Sequence, residues 1–424
     1  MTPSALTESP PPVTGGNLPE RLARAGVRER LAGVTGGTLH LTEAGHTTTL
    51  GRPTDLSARV EVHDPRFWVE VATGGALGAA ESYARGEWDS DDLTTTIRVL
   101  ARDRAALAGL ERGLARLRTP ALRALHALHG NSRRGSQRNI AAHYDLGNDF
   151  FARFLDRTRM YSCALWPHPE ATLDEAAAHK LDVVCDKLGL REGHTVLEIG
   201  TGWGGFALHA ARRGAQVTTT TISREQARHA REAFAAAGLA DRITLLEQDY
   251  RDLPALGRTF DRVVSIEMIE AVGYDHLDEY FAVIGRMLAP EGLALVQAIT
   301  IPDRDETEYR RNVDFIQKHI FPGSALPSLR AMSAAISATP LRIDDLEDLA
   351  PHYARTLREW RMRFEAERAA IEGMGFDETF QRLWRWYFCY CEAGFLERTI
   401  GLLQLVLAGP RAGAGVTSPS RGGA

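Results

Sequence analysis

The chain has 424 residues, of which 44% are hydrophobic and 25% charged, and a net charge of −5. That length supports two or three domains with real cores. The weakly negative balance argues against a nucleic-acid partner, and no window approaches the roughly 20 apolar residues that span a bilayer, so membrane contact is expected to be peripheral.

Residues 1–19 are rich in Pro, Gly, Ser and Thr and are expected to be disordered, as is the tail 409–424. The N-terminus lacks a basic start and an apolar run, so it does not read as a signal peptide. Cys163, Cys185, Cys389 and Cys391 show no zinc-type spacing; no metal site is expected, and a reduced cytosolic setting fits.

Residues 20–118 read as a small α+β accessory domain. A helical pattern, "LPERLARAGVRERLAG", precedes two alternating strand-like runs, "GTLHLTEAGHTTTLG" and "LSARVEVHD", and further helical stretches follow. No catalytic constellation appears there. Residues 119–138 read as a basic linker. Across 103–138, eight Arg face two acids, and Leu107, Leu110, Leu114 and Leu117 recur at helical spacing. Two readings stay open: a solvated helix with a linker, or an amphipathic segment resting on anionic headgroups.

Residues 139–408 read as the catalytic domain. Between 180 and 300 strands alternate with helices, for example "HTVLEIG", "GFALHAARRG", "AQVTTTTIS" and "REQARHAREAFAAAG". Such alternation implies a parallel sheet covered on both faces, with the site at the C-terminal strand ends. Beyond 303 the chain is aromatic-rich, and "TFQRLWRWYFCYCEAGFLERTIGLLQLVLAG" reads as helical to about 408.

The stretch "VLEIGTGWGG" contains GxGxxG at Gly200, Gly202 and Gly205. A dinucleotide site wants an acid at the end of the second strand, and that end is Thr221-Ile222-Ser223. Glu198 instead precedes the glycines by two residues, and Asp249 closes a later strand. This ordered set points to S-adenosylmethionine. Gly200, Gly202 and Gly204 let the backbone approach the amino-acid end, and Glu198 can take its ammonium. Thr221, Ser223 and Gln226 line the second strand end. Asp249 can accept from the adenine amino group, and Tyr250 can lie along the ring.

Several blocks together resemble the cyclopropane fatty acid synthase family of S-adenosylmethionine-dependent methyltransferases, over about 139–400. They are "NIAAHYDLGNDFF", "MYSCALW", "VLEIGTGWGGFA", "TISREQ", "SIEMIEAVG", "FIQKHIFPGSALPS", "HYARTLREW" and "RLWRWYFCYCEAGFLER". The resemblance implies a Rossmann-like class I methyltransferase fold, α/β, with a helical lipid-covering insertion at about 303–400. It implies methyl transfer onto the cis double bond of an unsaturated (oleoyl-type) phospholipid acyl chain in a bilayer. A carbocation is then deprotonated by a bound bicarbonate ion. Carried over, Tyr161 and Ser162 meet the methionine end of the cofactor, and His143 and Tyr144 lie near its lid. Cys163, Glu270, the backbone of Ile299 and Tyr353 hold the bicarbonate. A peripheral enzyme on the inner face of the membrane, working as a homo-oligomer such as a dimer, is implied too.

Two positions depart from the family's pattern. Ala271 and Gln297 stand where cyclopropane-forming members commonly carry His. Gln297 can donate to an anion but cannot shuttle a proton. The "EMIEAVG" and "QAITIPD" forms resemble the branch that makes methylene- or methyl-branched chains, which leaves ring and branch both open. A methyl-branched product needs a separate reductase. Alternatives from the residues alone are a methyltransferase of another small molecule, a Rossmann oxidoreductase, or a lipid carrier without activity.

Overall fold

The computed structural model describes residues 17–103, Gly135 and 146–413. The arginine-rich stretch read above falls outside the described residues save for Asp103 and Gly135, and so do His143 and Tyr144. The chain divides into two compact units, Met1–Arg118 and Thr119–Ala424.

In the first unit, α1 (Leu18–Ala32) starts at Asn17 with a reciprocal cap. The Asn17 side chain accepts from Glu20 N, and the Glu20 carboxylate accepts from Asn17 N. β1 (Thr38–Glu43) and β2 (His46–Gly51) form a hairpin. Ala44 and Gly45 turn it at φ 48° and 78°, the mirror-type geometry that matches strand twist. β3 (Ser57–Val62) pairs parallel to β1, and β4 (Trp88–Ser90) antiparallel to β3. Helices α2 (Arg66–Ala84) and α3 (Leu93–Arg102) complete the unit. Among the buried acids here, Glu43 takes the Arg24 guanidinium and accepts from Trp68 Nε1 at 2.9 Å.

The second unit begins with α4 (Asn148–Ala152) and α5 (Leu173–Lys187). Its sheet is built on β5 (Thr195–Ile199), β6 (Gln216–Thr220), β7 (Ile243–Leu246), β8 (Phe260–Ile266) and β9 (Leu288–Thr300), with α6 (Gly205–Arg212), α7 (Arg224–Ala236) and α8 (Leu277–Met287) between them. Short helices α9 (Glu306–Tyr309), α10 (Phe315–His319) and α11 (Leu329–Ser337) follow. Then come β10 (Arg342–Asp348), α12 (Ala350–Ala366), α13 (Arg368–Gly373), α14 (Glu378–Leu396) and β11 (Gly401–Ala408). The strand order is β10-β11-β9-β8-β5-β6-β7. The five strands from β7 to β9 run parallel, and β11 is antiparallel to both its neighbours. Alternate residues feed separate cores: Val196 and Val264 pack with α5 and α6, whereas Leu197 and Val263 pack with α8. The order reverses between β5 and β8, and the crevice at their C-terminal ends is where such sheets bind ligands.

Two elements differ from the sequence reading. "GLLQLVLA" was expected to prolong a helix, but α14 stops at Leu396 and this run becomes β11, inside the sheet. Its last five residues are all buried, so the period-two alternation that marks a half-exposed strand is missing. β10, "RIDDLED", is an edge strand whose acids hide its strand character and discourage further pairing. The segment 303–400 is therefore helical with one strand inserted.

Candidate active site

The glycine loop leaves β5 with Gly200, Gly202 and Gly204 at φ 101°, 54° and 90°. Gly200 N and Thr201 N both donate to Thr220 O, at 3.0 Å each, which ties the loop to β6. A Cβ on Gly204 would lie 2.5 Å from the Phe234 ring, so that glycine serves packing. A Cβ on Gly202 would meet nothing within 4 Å. The loop is thus open at Gly202 and closed at Gly204. Glu198 is buried beneath it and accepts from Thr219 Oγ1 at 2.6 Å. Burial pushes its carboxyl up to about 8, against the pull of that hydroxyl and of Lys180.

The second and third strand ends are locally bonded. Ser223 caps α7 by accepting from Gln226 N, Ser223 N donates to Thr221 Oγ1, and Thr221 Oγ1 donates to Gln226 Oε1. Asp249, expected to face an adenine, holds Arg251 through Nε at 2.8 Å and Nη2 at 2.6 Å. Tyr250 packs edge-on against Tyr280 with ring centroids 5.7 Å apart. Beside them, Gln248 Nε2 is closed off from solvent and has no partner among the described residues.

Beyond β8 the chain turns sharply and brings two carboxyl groups to the crevice. Glu267 follows the strand at φ 49°, and its N–H donates to Gln297 O at 2.8 Å. A non-glycine residue in this region is strained and must be held by its surroundings. Three donors converge on its carboxylate: Cys163 N at 2.9 Å, Gln297 Nε2 at 2.7 Å and Tyr353 Oη at 2.6 Å. Glu270 lies in the next turn, where its Oε1 accepts from Ile299 N at 2.6 Å. Its Oε2 is shut off from solvent and has no partner among the described residues.

The electrostatics separate the two acids. Desolvation raises the Glu267 carboxyl, while Tyr353, Cys163 N, Lys180 and Gln297 each pull it back down. Desolvation, and then the negative charge of Glu267, push Glu270 up to about 8. Three donors converge on the Glu267 carboxylate and one on that of Glu270, so the hydrogen bonding favours the negative charge on Glu267 and the proton on Glu270.

The supporting residues are equally specific. Gln297, on β9, lies opposite Gln404 on β11. Lys187 donates to Gln404 Oε1 at 2.6 Å, and Gln404 Nε2 donates to Gln297 Oε1 at 3.0 Å. A lysine has only donors, so it fixes both amides and aims Gln297 Nε2 at Glu267. Tyr353 stacks on Phe395, with centroids 4.6 Å apart, and meets Trp360 edge-on at 6.1 Å. Trp360 packs on Tyr161 at 5.3 Å, and Tyr161 on Phe321 at 5.9 Å. An aromatic wall thus runs outward from the carboxyl pair. Tyr161 Oη donates to Tyr387 Oη at 3.1 Å. Ser162 Oγ accepts from the buried Lys180 Nζ at 2.6 Å.

A family model described as mycolic acid cyclopropane synthetase matches residues 131–405. The chain belongs to that family. It is 42% identical over 369 residues to the tuberculostearic acid methyltransferase of Mycobacterium tuberculosis, covering 85% of this chain and 83% of that one. It is 37% identical over 372 residues to the cyclopropane-fatty-acyl-phospholipid synthase of Escherichia coli, covering 87% and 91%. Among solved structures, the mycolic acid cyclopropane synthase CmaA1 complexed with SAH and CTAB superposes with a TM-score of 0.59 at 31% identity, covering 64% and 98%. This member of the cyclopropane synthase family is thus an S-adenosylmethionine-dependent methyltransferase of the class I fold.

The crevice fits that cofactor: the loop is open at Gly202, and Gln248 Nε2 at the third strand end has a donor to give. Bicarbonate does not fit the same way. Cys163 N and Tyr353 Oη, two of the groups expected to hold it, donate to Glu267, and so does Gln297. The Cys163 thiol points elsewhere, donating to Ala164 O at 3.2 Å. Cys163, Gln297 and Tyr353 do come together, with Glu270 and Ile299 beside them, but around a residue to which the sequence reading gave no role. Nothing in "SIEMIEAVG" announces that its first acid adopts positive φ.

Proposed function

We propose that this enzyme methylates the cis double bond of an unsaturated acyl chain carried on a membrane phospholipid, and that the product is a methylene-branched chain. The observation that carries this reading is the carboxyl pair at the sheet's switch point, walled by Tyr353, Trp360, Tyr161 and Phe321 and held by neutral donors. S-adenosylmethionine, when bound, would supply an electrophilic methyl group, the electron pair of the broken S–CH3 bond staying on sulfur as the thioether S-adenosylhomocysteine leaves. Gly200, Gly202, Glu198, Tyr161 and Ser162 would hold its amino-acid end, and Gln248, Asp249 and Tyr250 its base.

The alkene's π electrons form the new C–C bond, which leaves a carbocation on the acyl chain. The aromatic wall excludes water that would quench this cation and presents ring faces to it. A hydride shift from the methylated carbon to its neighbour moves the cation to the branch point. Proton loss from the new methyl then gives an exocyclic methylene, whereas proton loss before the shift closes a ring. Gln297 and Ala271, neither of which can relay a proton, favour the branched outcome, as does the similarity to a tuberculostearic acid methyltransferase. Reduction to a methyl branch falls to a separate reductase.

An open polar pocket for a small metabolite does not agree with that wall, and the end of the second strand, Thr221-Ile222-Ser223, carries no ribose-binding acid for a nicotinamide. Among the described residues no helix is long and apolar enough to cross a membrane. We assign lipid contact to peripheral docking, with the N-terminal unit assisting presentation or dimerisation. The test is mass spectrometry of lipids from cells expressing the chain and fed oleate, with a labelled S-adenosylmethionine methyl. One added labelled carbon, with ozonolysis to a ketone, is the expected result. A product that resists ozonolysis is a cyclopropane and overturns the branched assignment. The absence of labelled lipid overturns the acyl substrate.

A further inference from the structure

We propose that Glu267 is the enzyme's own proton acceptor, its carboxylate standing where a bicarbonate ion was expected, so that turnover requires no bound anion. This inference rests on the alkene-methylation reading and names the base for it.

A carboxylate and a bicarbonate present the same planar pair of oxygens, and one set of donors cannot serve both. Here the donors come from three separate elements: Cys163 N from the loop before α5, Gln297 Nε2 from β9 and Tyr353 Oη from α12. Convergence of this kind builds an anion site, and the chain fills it from within. Filling it has a conformational cost, since Glu267 must adopt φ 49°, a region where an L side chain is strained. The Gln297 carbonyl anchors the strained turn by accepting from Glu267 N, and the Gln297 amide meets the same residue's side chain. β9 thus fixes both the backbone and the carboxylate.

The surrounding chemistry leaves Glu267 available as a base. The three groups bonded to it are an amide N–H, a carboxamide and a phenol, none of which neutralises it in the ground state. Lys180, the nearby cation, donates to Ser162 Oγ. In the reaction a C–H bond of the transferred methyl breaks, and its electron pair forms the C=C bond of the methylene (or closes the ring). The proton passes to a Glu267 oxygen, leaving a neutral acid that returns it to solvent after product release. No redox partner is needed.

The test uses the purified full-length enzyme, oleoyl-phospholipid vesicles and labelled S-adenosylmethionine, with and without bicarbonate in CO2-free buffer. The wild type is expected to turn over equally in both. Glu267→Gly suits the positive φ and frees all three donors. It is expected to lose about a hundredfold or more without bicarbonate and to regain about tenfold when bicarbonate is added, the range expected for a positioned base. Glu267→Gln, which keeps the shape but not the basicity, is expected to stay inactive in both, with S-adenosylmethionine affinity and melting temperature near wild type. A second readout does not depend on turnover: 13C-bicarbonate resonances should broaden with Glu267→Gly and not with the wild type. Wild-type activity that requires bicarbonate, or wild-type binding of the labelled ion, overturns the proposal. Full activity of Glu267→Gly in CO2-free buffer overturns it too. If no variant makes labelled lipid, the alkene reading fails, and the NMR comparison alone decides whether Glu267 fills the anion site.

Discussion

Two glutamates, one in each unit, receive similar neutral donors and very different charged company. Glu43 in the N-terminal unit accepts from an indole and is neutralised in contact by Arg24. Glu87 with Arg85, and Glu392 with Arg358, repeat that solution elsewhere. Glu267 accepts from a phenol, a carboxamide and a main-chain N–H, with no guanidinium bonded to it among the described residues. A contacting guanidinium lowers the free energy of a buried carboxylate and suppresses its basicity. Neutral donors hold the charge in place and leave it able to take a proton. The contrast separates acids that build the fold from the acid placed to react.

The comparison predicts opposite phenotypes for like substitutions. Glu267→Gln should lower turnover by about a hundredfold or more, with cofactor affinity and stability near wild type, measured by labelled-methyl transfer and calorimetry. Glu270→Gln should likewise abolish turnover while cofactor affinity stays near wild type; parallel loss of both would mean that the residue serves binding. Tyr353→Phe removes one of the three donors and should cost about ten- to a hundredfold in turnover, the worth of a hydrogen bond to a charged group. Gln404→Leu leaves Glu267 its donors but frees the Gln297 amide to rotate. The expected loss is smaller, a few-fold in kcat with KM unchanged, and Gln404→Glu should share it, because a carboxylate accepts from Lys187 but cannot donate to Gln297 Oε1. Glu43→Gln should leave turnover per folded molecule unchanged and lower stability by about 2–3 kcal/mol, because the Arg24 guanidinium loses the buried negative charge it faces.

Stability against pH sharpens the same contrast. Glu270 is raised from the usual 4.5 to about 8, so the folded chain holds a proton that the unfolded chain releases above 4.5. The stability this gives is fully present below 4.5 and is lost as pH rises to about 8. Glu270→Gln should flatten that decline without removing it, because Glu198 is raised to about 8 as well. An unchanged slope in thermal unfolding across this window would show that Glu270 does not hold its proton.

The glycine loop and the alternation of 180–300 were legible in the sequence because tight turns and parallel strands each have a local signature. β11 was not: a strand buried on both faces loses its alternation, and "GLLQLVLA" directly follows a real helix. Cys163, Glu270, Ile299 and Tyr353 were singled out through the resemblance and Gln297 as a departure from it, and the structure groups them. Glu267 was missed because its role depends on one backbone angle and on donors 30, 86 and 104 residues away in the chain. Lys180 was given no role, since a buried lysine has no pattern of its own.

The most direct measurement of the central claim follows the methyl hydrogens. With S-adenosylmethionine carrying a CD3 group and oleoyl-phospholipid vesicles, mass spectrometry of the product counts deuterium. The account predicts that two of the three deuteriums remain on the added carbon, the third having passed to the Glu267 carboxylate. Retention of all three would mean that the proton leaves from elsewhere on the acyl chain, and that the carboxylate does not face the transferred methyl.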